Sequence, residues 1–193
     1  MSFKVKVYRN TSFKDHRGYY WTSWKKGLIK KMQFNHDKFS LSKKNVLRGF
    51  HGDNKTWKLV SCPFGKFLLV VVDCQKKSKN YLKWNSWILS HENGLQILIP
   101  PNFANGHLCL SDKCLFHYKL SYRGDYLDAK DQFSIKWNDP KLKIKWGIKR
   151  PTLSKRDQKA KMIKVKLSDG KVRELDSMVQ TSFWSTEGKP ISS

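Results

Sequence analysis

Short apolar runs separated by turn residues dominate this chain, and no long stretch repeats its apolar positions with the period of a helix. Residues 65–74 contain a continuous apolar run, which is typical of a strand buried on both faces. Further strand-like runs occupy residues 83–89, 96–99, 107–110 and 114–122. Many short strands at this spacing predict an all-β fold, either an antiparallel β-sandwich or a jelly roll.

Two regions differ from this pattern. Residues 24–32 mix Trp, Leu and Ile with Lys, and we expect a short peripheral helix there, ahead of the core strands. Residues 158–193 are rich in Lys and then in Ser and Thr, and we expect an appendage there. Within it, residues 165–167 and 171–175 flank a Ser-Asp-Gly turn and predict a small hairpin. The chain therefore divides into one domain, 1–157, and an appendage, 158–193.

The charge is strongly positive, because 39 Lys and Arg residues face 15 Asp and Glu residues and give a formal net charge of +24. Such a charge attracts polyanions. The lysines are scattered through every segment and no nucleic-acid recognition motif accompanies them, so we expect no specific nucleic-acid partner. No apolar run approaches the roughly 20 residues that a membrane-spanning helix needs. We therefore expect no membrane partner and a cytoplasmic location.

The cysteines and histidines lack the spacing of metal ligands. The four cysteines, at positions 62, 74, 109 and 114, lie in apolar surroundings without a Cys-x-x-Cys pair, and we interpret them as buried thiols. No His-x-His occurs among the six histidines. We therefore expect neither a metal site nor any other cofactor.

A set of reactive side chains suggests proton transfer beside a ketone. Residues 45–58 place His51 and Lys58 close together, Tyr118 lies on a later strand-like run, and Asp157 follows near the end of the predicted domain. A carbon next to a ketone is acidic because its carbanion delocalises into the carbonyl oxygen. Its inversion requires a base on one face, an acid on the other and a donor at the oxygen. Taken singly, these residues also fit a paired structural histidine, a core tyrosine and a solvated lysine.

Four motifs carry a resemblance to the dTDP-4-dehydrorhamnose 3,5-epimerases, which are cupin-fold enzymes acting on nucleotide-linked 4-keto sugars. They are Leu-Arg-Gly-Phe-His at 47–51, Trp-Lys-Leu-Val at 57–60, Phe-His-Tyr-Lys at 116–119 and Leu-Ser-Lys-Arg-Asp at 153–157. The resemblance covers most of the chain, from about residue 15 to residue 157. It implies a cupin jelly roll with short peripheral helices, and an epimerase that needs no metal.

The resemblance also implies roles for particular residues. His51 matches the base, Asp157 matches the carboxylate that orients it, and Lys58 matches the lysine that holds the enolate oxygen. Tyr118 matches the acid that returns the proton. Asp73 matches a residue near the site, although a carboxylate there is also a common way to end a strand.

Two arginines match residues that bind the nucleotide in this family. Arg48 matches a residue near the diphosphate, and a guanidinium is well suited to bidentate pairing with phosphate. Arg17 matches an arginine that reaches the nucleotide from the partner subunit, which implies a domain-swapped homodimer. The positive field would gather the anionic nucleotide-diphosphate 4-keto sugar.

The chain departs from the usual family pattern at several positions. Asn105 stands where a second site histidine is usual, and His107 lies two residues further on, on the same face of a strand. His36 replaces a glutamine, and Gly52-Asp53 replaces an aromatic residue and a glutamine. These departures resemble a subgroup that acts on GDP-linked 4-keto-6-deoxy-heptoses. The choice between dTDP and GDP, and between one inverted centre and two, stays open.

The function predicted from the sequence is inversion of C3, C5 or both in a nucleotide-linked 4-keto-6-deoxy sugar, for surface polysaccharide. One alternative is a 3,4-ketoisomerase of the same fold, which would not need Tyr118. Another is a catalytically silent protein that uses its charge to bind anionic sugars or nucleic acid.

Overall fold

The structure is a computed structural model that describes residues 4–30, 32–163, 182–184 and 190–191. Its elements are β1 Lys6–Arg9, β2 Ser12–Asp15, β3 Gly18–Trp21, β4 His36–Lys43, β5 Leu47–Gly52, β6 Trp57–Phe64, β7 Lys66–Asp73, β8 Trp84–Ser90, β9 Leu95–Ile99, β10 Phe103–Cys109, β11 Lys113–Ser121, a 3₁₀ turn Ala129–Asp131, β12 Phe133–Ser134, α1 Lys155–Gln158, β13 Ser182–Trp184 and β14 Pro190–Ile191.

These strands form two main sheets and one separate hairpin. One sheet has the order β1-β9-β6-β11-β4, the other has the order β12-β5-β10-β7-β8-β13-β14, and β2 pairs with β3 alone. Within the described residues, neighbouring strands pair antiparallel, apart from β13 and β8. The predicted all-β, cupin-like fold with little helix is confirmed.

The main core fills the space between the two sheets. It combines side chains from the five-stranded sheet, such as Val60, Ile97 and Phe116, with Leu69 and Trp87 from the seven-stranded sheet. Alternating residues of a strand point to opposite faces, so these inward positions meet across the sandwich. The rim of this space lines the cavity described below.

The outer face of the seven-stranded sheet is also covered. Val70 and Val72 pack there against Leu142 and Trp146, which belong to the irregular segment that follows β12. The indole nitrogen of Trp84 donates to the Leu142 carbonyl at 2.7 Å, which ties that segment to β8. Strand β7 is therefore buried on both faces, as its continuous apolar run predicts.

The predicted helix at 24–32 is wrong. Residues 24–30 and 32, the part of that stretch that the structure describes, form turns and bends. Gly27 has φ +87°, which interrupts helical geometry, and Leu28 and Met32 each close a single turn by bonding the carbonyl three residues earlier. The apolar residues still pack, since Ile29 lies against Leu59 and Leu98.

The end of the chain bears on the predicted division into domains. Residues 158–163 continue from α1, and Ile163 N–H donates to Asp139 Oδ2 at 2.6 Å. The predicted hairpin at 165–175 lies outside the described residues, and the boundary at 157 stays a prediction. No helix in the described part of the chain is long and apolar enough to cross a membrane.

Candidate active site

A cavity of about 280 Å³ opens between the two sheets. One wall is the five-stranded sheet, which contributes residues of β4, β6 and β11. The facing wall is the seven-stranded sheet, which contributes residues of β5 and β10, and α1 closes one side. The lining residues used below are Lys38, Arg48, His51, Asp53, Thr56, Lys58, Asn105, His107, Tyr118, Tyr126, Asp128, Arg156 and Asp157.

His51 lies on β5 with both ring nitrogens paired. Its Nε2 lies 2.8 Å from Asp157 Oδ1 and its Nδ1 lies 3.0 Å from the Ser134 hydroxyl. Ser134 belongs to β12, which pairs with β5, and it also accepts a bond from Arg156 at 3.1 Å. Because Nε2 faces the carboxylate, its proton belongs between them, and Nδ1 is the nitrogen left to act as a base.

Asp157 is held behind His51 by the short helix α1. Ser154 caps this helix and accepts the N–H of Asp157 at 3.1 Å, which places the carboxylate in the first turn. Asp157 is only 2% exposed. Burial raises its pKa, but hydrogen bonds from His51, Ser154 and the Gly49 N–H outweigh it, so the pKa lies below its ordinary value. The carboxylate is therefore ionised at neutral pH.

Close packing of β5 against its neighbours depends on glycine. Gly49 has φ +128°, and a Cβ there would lie 2.5 Å from the Cα of Gly106 on β10. A Cβ at Gly52 would lie 2.4 Å from the ring of Phe133 on β12. Phe133 thus fills the space beside His51, and this explains why no aromatic side chain follows His51 in this chain.

Lys58 lies on the opposite wall, on β6, and is only 7% exposed. Its ammonium lies 3.4 Å from Asp53 Oδ2. Asp53 itself accepts the N–H groups of Lys55 and Thr56 at 3.1 and 2.6 Å, which fixes its carboxylate. Burial lowers the pKa of Lys58, while attraction to Asp53 opposes that shift. The pair presents a fixed donor to the cavity.

Tyr118 lies on β11, next to β6 and β4 in the same wall. It is directly opposite Lys38 and Val60 in the two strand pairings. Burial raises the pKa of its phenol above the ordinary value, so the hydroxyl keeps its proton at neutral pH. Lys38 donates to the Tyr126 hydroxyl at 3.2 Å and lies 3.8 Å from Asp128. A cation and an aromatic ring therefore stand beside the phenol at this wall.

Five buried polar atoms of cavity-lining residues lack a hydrogen bond of good geometry among the described residues. Asp53 Oδ2 and Asp157 Oδ1 still lie within ion-pair distance of Lys58 and His51, whereas Thr56 Oγ1, Asn105 Oδ1 and His107 Nε2 have no partner there. His107 is 3% exposed and its ring stacks on Phe116, with centroids 4.3 Å apart. Burial, with the nearby positive charge of Arg48, lowers the pKa of His107 to about 3. Unpaired buried polar atoms destabilise the fold, so the cavity is suited to a ligand whose hydroxyl groups would bond these three atoms.

The structure brings together seven of the predicted site residues, namely His51, Tyr118, Asp157, Lys58, Arg48, Asn105 and His107. Arg48 also bonds Ser42 Oγ at 3.0 Å, so it bridges from β5 to β4 across the open end of the sandwich. The pairing register places Asn105 opposite His51 and His107 opposite Arg48, with a bulge between them.

The other predicted site residues lie elsewhere. His36 is beside the cavity, where it bonds the Tyr122 hydroxyl at 3.3 Å and packs on Tyr126. Asp73 ends β7 and accepts bonds from Gln75 N–H and the Ser78 hydroxyl, which matches its interpretation as a strand end. Arg17 lies at the tip of the β2–β3 hairpin and pairs with Asp15 at 2.6 Å, with 76% of its side chain exposed.

Several residues that line or support the cavity were missed by the sequence analysis. They are Lys38, Asp53, Thr56, Tyr126, Asp128, Ser134 and Arg156. Lys38 was missed because the alternation of β4 favours the apolar Phe39 and Leu41 as inward residues, whereas both are exposed and Lys38 is on the sheltered side. Ser134 carried no signal in the sequence, since it meets His51 only through the pairing of β12 with β5, 83 residues away.

No cluster of three or more His, Cys, Asp or Glu residues that could hold a metal ion occurs in the part of the chain that the structure describes. The predicted independence of metal and cofactor stays a prediction. The residues that meet at the cavity, an imidazole–carboxylate pair facing a lysine and a phenol, are acid, base and donor groups.

Comparison with known proteins gives a consistent set of matches. Residues 4–165 match the profile of the family described as dTDP-4-dehydrorhamnose 3,5-epimerase. The chain is 37% identical over 160 residues to the dTDP-4-dehydrorhamnose 3,5-epimerase of Salmonella typhimurium, a match that covers 78% of this chain and 86% of the relative. It is 34% identical over 157 residues to the Pseudomonas aeruginosa enzyme of the same name, covering 77% and 85%.

Solved structures agree with these sequence matches. A Legionella pneumophila dTDP-6-deoxy-D-glucose-3,5-epimerase in complex with dTDP-4-keto-L-rhamnose superposes with a TM-score of 0.77 at 33% identity, covering 89% of this chain and 94% of that one. A Bacillus anthracis dTDP-4-dehydrorhamnose 3,5-epimerase with TDP and PPi bound also gives a TM-score of 0.77, at 28% identity, covering 83% and 94%.

Proposed function

The chain belongs to the dTDP-4-dehydrorhamnose 3,5-epimerase family, and from that premise we propose a metal-independent epimerase that inverts C3, C5 or both in a nucleotide-linked 4-keto-6-deoxy sugar. One observation carries the proposal: His51 with Asp157 lies on one wall of the cavity, and Tyr118 with Lys58 lies on the facing wall. Inversion needs a base and an acid on opposite faces of one carbon. The product serves surface polysaccharide synthesis.

In the first step, His51 removes the proton next to the ketone. Asp157 stabilises the imidazolium that forms and fixes the proton on Nε2, so Nδ1 accepts the new proton. The Ser134 hydroxyl shares the lone pair of Nδ1, 3.0 Å away, so it has to release that nitrogen or relay the proton to it.

The enolate then needs a donor at its oxygen, and Lys58 supplies one. A buried donor acts in a medium of low polarity, where it stabilises developing charge more strongly than water does. Tyr118 returns a proton from the opposite wall. Its raised pKa keeps the phenol protonated at neutral pH until the enolate, a stronger base, takes the proton.

Cations at the cavity suit the diphosphate. Arg48, Lys38 and Arg156 line it, and a guanidinium binds phosphate oxygens in a bidentate manner. The ionised nucleotide also places the enzyme in the cytoplasm within this proposal, since such a substrate does not cross a bilayer unaided. The names of the relatives indicate dTDP as the nucleotide. His36, Gly52-Asp53 and Asn105 favour a GDP-linked heptose.

A homodimer is part of the proposal, because Arg17 matches the family's arginine that reaches the partner subunit's nucleotide and lies exposed at the tip of the β2–β3 hairpin. The hairpin carries exposed aromatic residues, with Phe13 57% and Tyr20 66% exposed. Apolar side chains are also exposed on the outer face of the five-stranded sheet, at Phe39, Leu41 and Phe64. Exposed apolar clusters of this kind mark association surfaces. Arg17 would then complete the nucleotide site of the partner subunit.

The dimer can be tested by mixing two defective variants, Arg17→Ala and His51→Asn. A mixed dimer has one site that carries both defects and one site that carries neither, if Arg17 serves the partner's site. Co-refolding the two variants should restore about a quarter of the wild-type activity. If Arg17 serves its own subunit, the mixture stays at the activity of the separate variants.

The function is tested by enolisation in heavy water. The protein is incubated with dTDP-4-keto-6-deoxy-glucose and, separately, with a GDP-4-keto-6-deoxy-heptose, and C3 and C5 are followed by NMR. We expect deuterium at C3 and, in product, inverted configuration. His51→Asn should abolish labelling while the protein stays folded by circular dichroism. A folded wild-type protein that labels neither sugar would refute the epimerase assignment.

A further inference from the structure

A second network of polar side chains crosses the outer face of the five-stranded sheet, directly behind the cavity wall. His117 on β11 lies at its centre, with Nδ1 2.9 Å from the Ser61 hydroxyl and Nε2 2.7 Å from Asp37 Oδ1. The other oxygen of Asp37 accepts from Lys119 at 2.5 Å. These four residues, which we call the outer tie, link β6, β11 and β4.

The outer tie resembles a Ser-His-Asp hydrolase triad in composition, but its geometry does not suit a nucleophile. The ring of His117 is covered by Phe39, with centroids 4.5 Å apart. His117 is 5% exposed and Ser61 is 8% exposed, in the middle of a strand. Lys119 neutralises the carboxylate. Every member of the outer tie is therefore bonded within the network, and we interpret its role as structural rather than catalytic.

What distinguishes the outer tie is its register with the cavity. Tyr118 lies between His117 and Lys119, so its side chain points to the opposite face of β11, into the cavity. Tyr118 is paired with Lys38, which is next to Asp37, and with Val60, which is next to Ser61. Each strand that the tie joins therefore carries a cavity residue one position away.

The backbone at this point needs such a restraint. The register between β11 and β6 shifts between Leu115 and His117, where Cys62 and Pro63 of β6 lie opposite the single residue Phe116. A bulge loosens the strand ladder and re-aims the side chains beside it. Proline also has no N–H to contribute to a ladder. The bond between His117 and Ser61 lies directly beside this irregular stretch and adds a side-chain contact between the two strands where regular pairing resumes.

The tie holds one protonation state at neutral pH. Burial lowers the pKa of His117, against the opposing effect of Asp37. Burial also raises the pKa of Asp37, but bonds from Lys119 and His117 bring it below the ordinary value. A neutral imidazole that donates from Nε2 to Asp37 and accepts at Nδ1 from Ser61 satisfies every member, which makes the network rigid.

We propose that His117 is a positioning residue, whose bonds to Asp37 and Ser61 fix the backbone of β11 so that the Tyr118 phenol meets the substrate carbon. This inference rests on the proposed function, in which Tyr118 returns the proton. A reacting group displaced by about 1 Å costs about 100-fold in rate, so a strand that shifts slightly should impair Tyr118 while leaving His51, on the other sheet, unaffected.

The test compares two labels from one incubation in heavy water: deuterium in recovered substrate, which reports proton removal, and deuterium in inverted product, which reports return from the Tyr118 wall. We expect His117→Leu to raise the ratio of deuterium in recovered substrate to deuterium in inverted product about 10-fold. Tyr118→Phe should raise the same ratio further. His117→Gln keeps a donor toward Asp37 and should restore most of the wild-type ratio. Lys43→Ala, an exposed change on β4 outside the tie, should leave the ratio unchanged.

A ratio is independent of how much protein folds, so a purely structural defect lowers both labels together and leaves it constant. That result in His117→Leu would overturn the inference. In the double variant with Tyr118→Phe, loss of His117 should change the ratio by less than about 2-fold, since the phenol is already gone. Additive effects would also overturn it. If Tyr118→Phe leaves the ratio at the wild-type value, the proposed function is wrong and the inference falls with it.

Discussion

Replacing Asp157 by Asn tests the most specific part of the proposed mechanism. The carboxylate is 2% exposed and lies 2.8 Å from His51 Nε2. Asparagine has the same shape, so it removes the charge while filling the same space. Its amide can rotate to donate to Nε2, which would move the imidazole proton to Nδ1, the nitrogen that should act as the base.

The expected loss has two parts. Opposite charges about 4 Å apart attract by about 4 kcal/mol at an effective dielectric constant of 20, and roughly half of this develops in a transition state with the proton half transferred. A loss of about 2 kcal/mol slows the reaction about 30-fold. The wrong tautomer adds to this, since the equivalent change in a Ser-His-Asp site costs about 10⁴-fold in kcat. We therefore expect kcat to fall between about 10² and 10⁴-fold.

The assay is the rate of deuterium entry at C3, because it reports the proton removal that the proposed mechanism assigns to His51. KM should change little, since Asp157 is separated from the sugar by the imidazole. Labelling in Asp157→Asn within about 3-fold of the wild type would refute the role of the carboxylate, because even the electrostatic part alone predicts more. Circular dichroism and an unfolding curve for the variant provide the control for folding.

Three further predictions use independent measurements. His107→Phe should make the free energy of unfolding less sensitive to acid. Burial lowers the pKa of His107 to about 3, so below pH 6.5 the unfolded chain binds a proton that the folded chain does not. The stability of the wild type therefore falls as the pH drops, by up to about 1.4 kcal/mol per pH unit from this group. Urea unfolding at pH 4.5 and 7.5 measures the difference, and equal slopes in both proteins would contradict it. The net charge of +24 should make kcat/KM for the nucleotide sugar fall as salt rises, more steeply than kcat, which initial rates at several salt concentrations would show. Chelation should leave activity unchanged, and activity that returns only when a metal is added back would contradict the metal-independent mechanism.

The sequence predicted the architecture because its signals are local. The continuous apolar run of β7 depends on its own residues, and it is buried on both faces as expected. The start of β10 was missed, since residues 100–106 are rich in the Pro, Asn and Gly of turns, whereas the strand begins at Phe103. Pairing with β5 on one side and β7 on the other overrides that local preference.

Within the candidate site, residues inside a motif could be predicted and their partners could not. Lys58 was recognised from its neighbours, but Asp53 resembles an ordinary turn residue until the structure places it 3.4 Å from that ammonium. The sequence alone offered no reason why Gly52 stands where the family usually has an aromatic residue. The reason is Phe133, which lies 81 positions away and occupies the space that a side chain would need. Such contacts depend on strand pairing, which single-residue patterns do not encode.

The composition of the two walls also bears on how many centres are inverted. Asn105 cannot accept or deliver a proton at neutral pH, and burial lowers the pKa of His107 to about 3, which makes its imidazole a weak proton acceptor. Among the described residues of β5 and β10 that line the cavity, His51 is then the group suited to act as base on that wall. Inversion at C5 as well as C3 therefore requires the same His51–Tyr118 pair to act twice, with the sugar ring turned between the two events. Deuterium should enter one carbon before the other in an NMR time course, and simultaneous labelling at equal rates would mean that a second base exists.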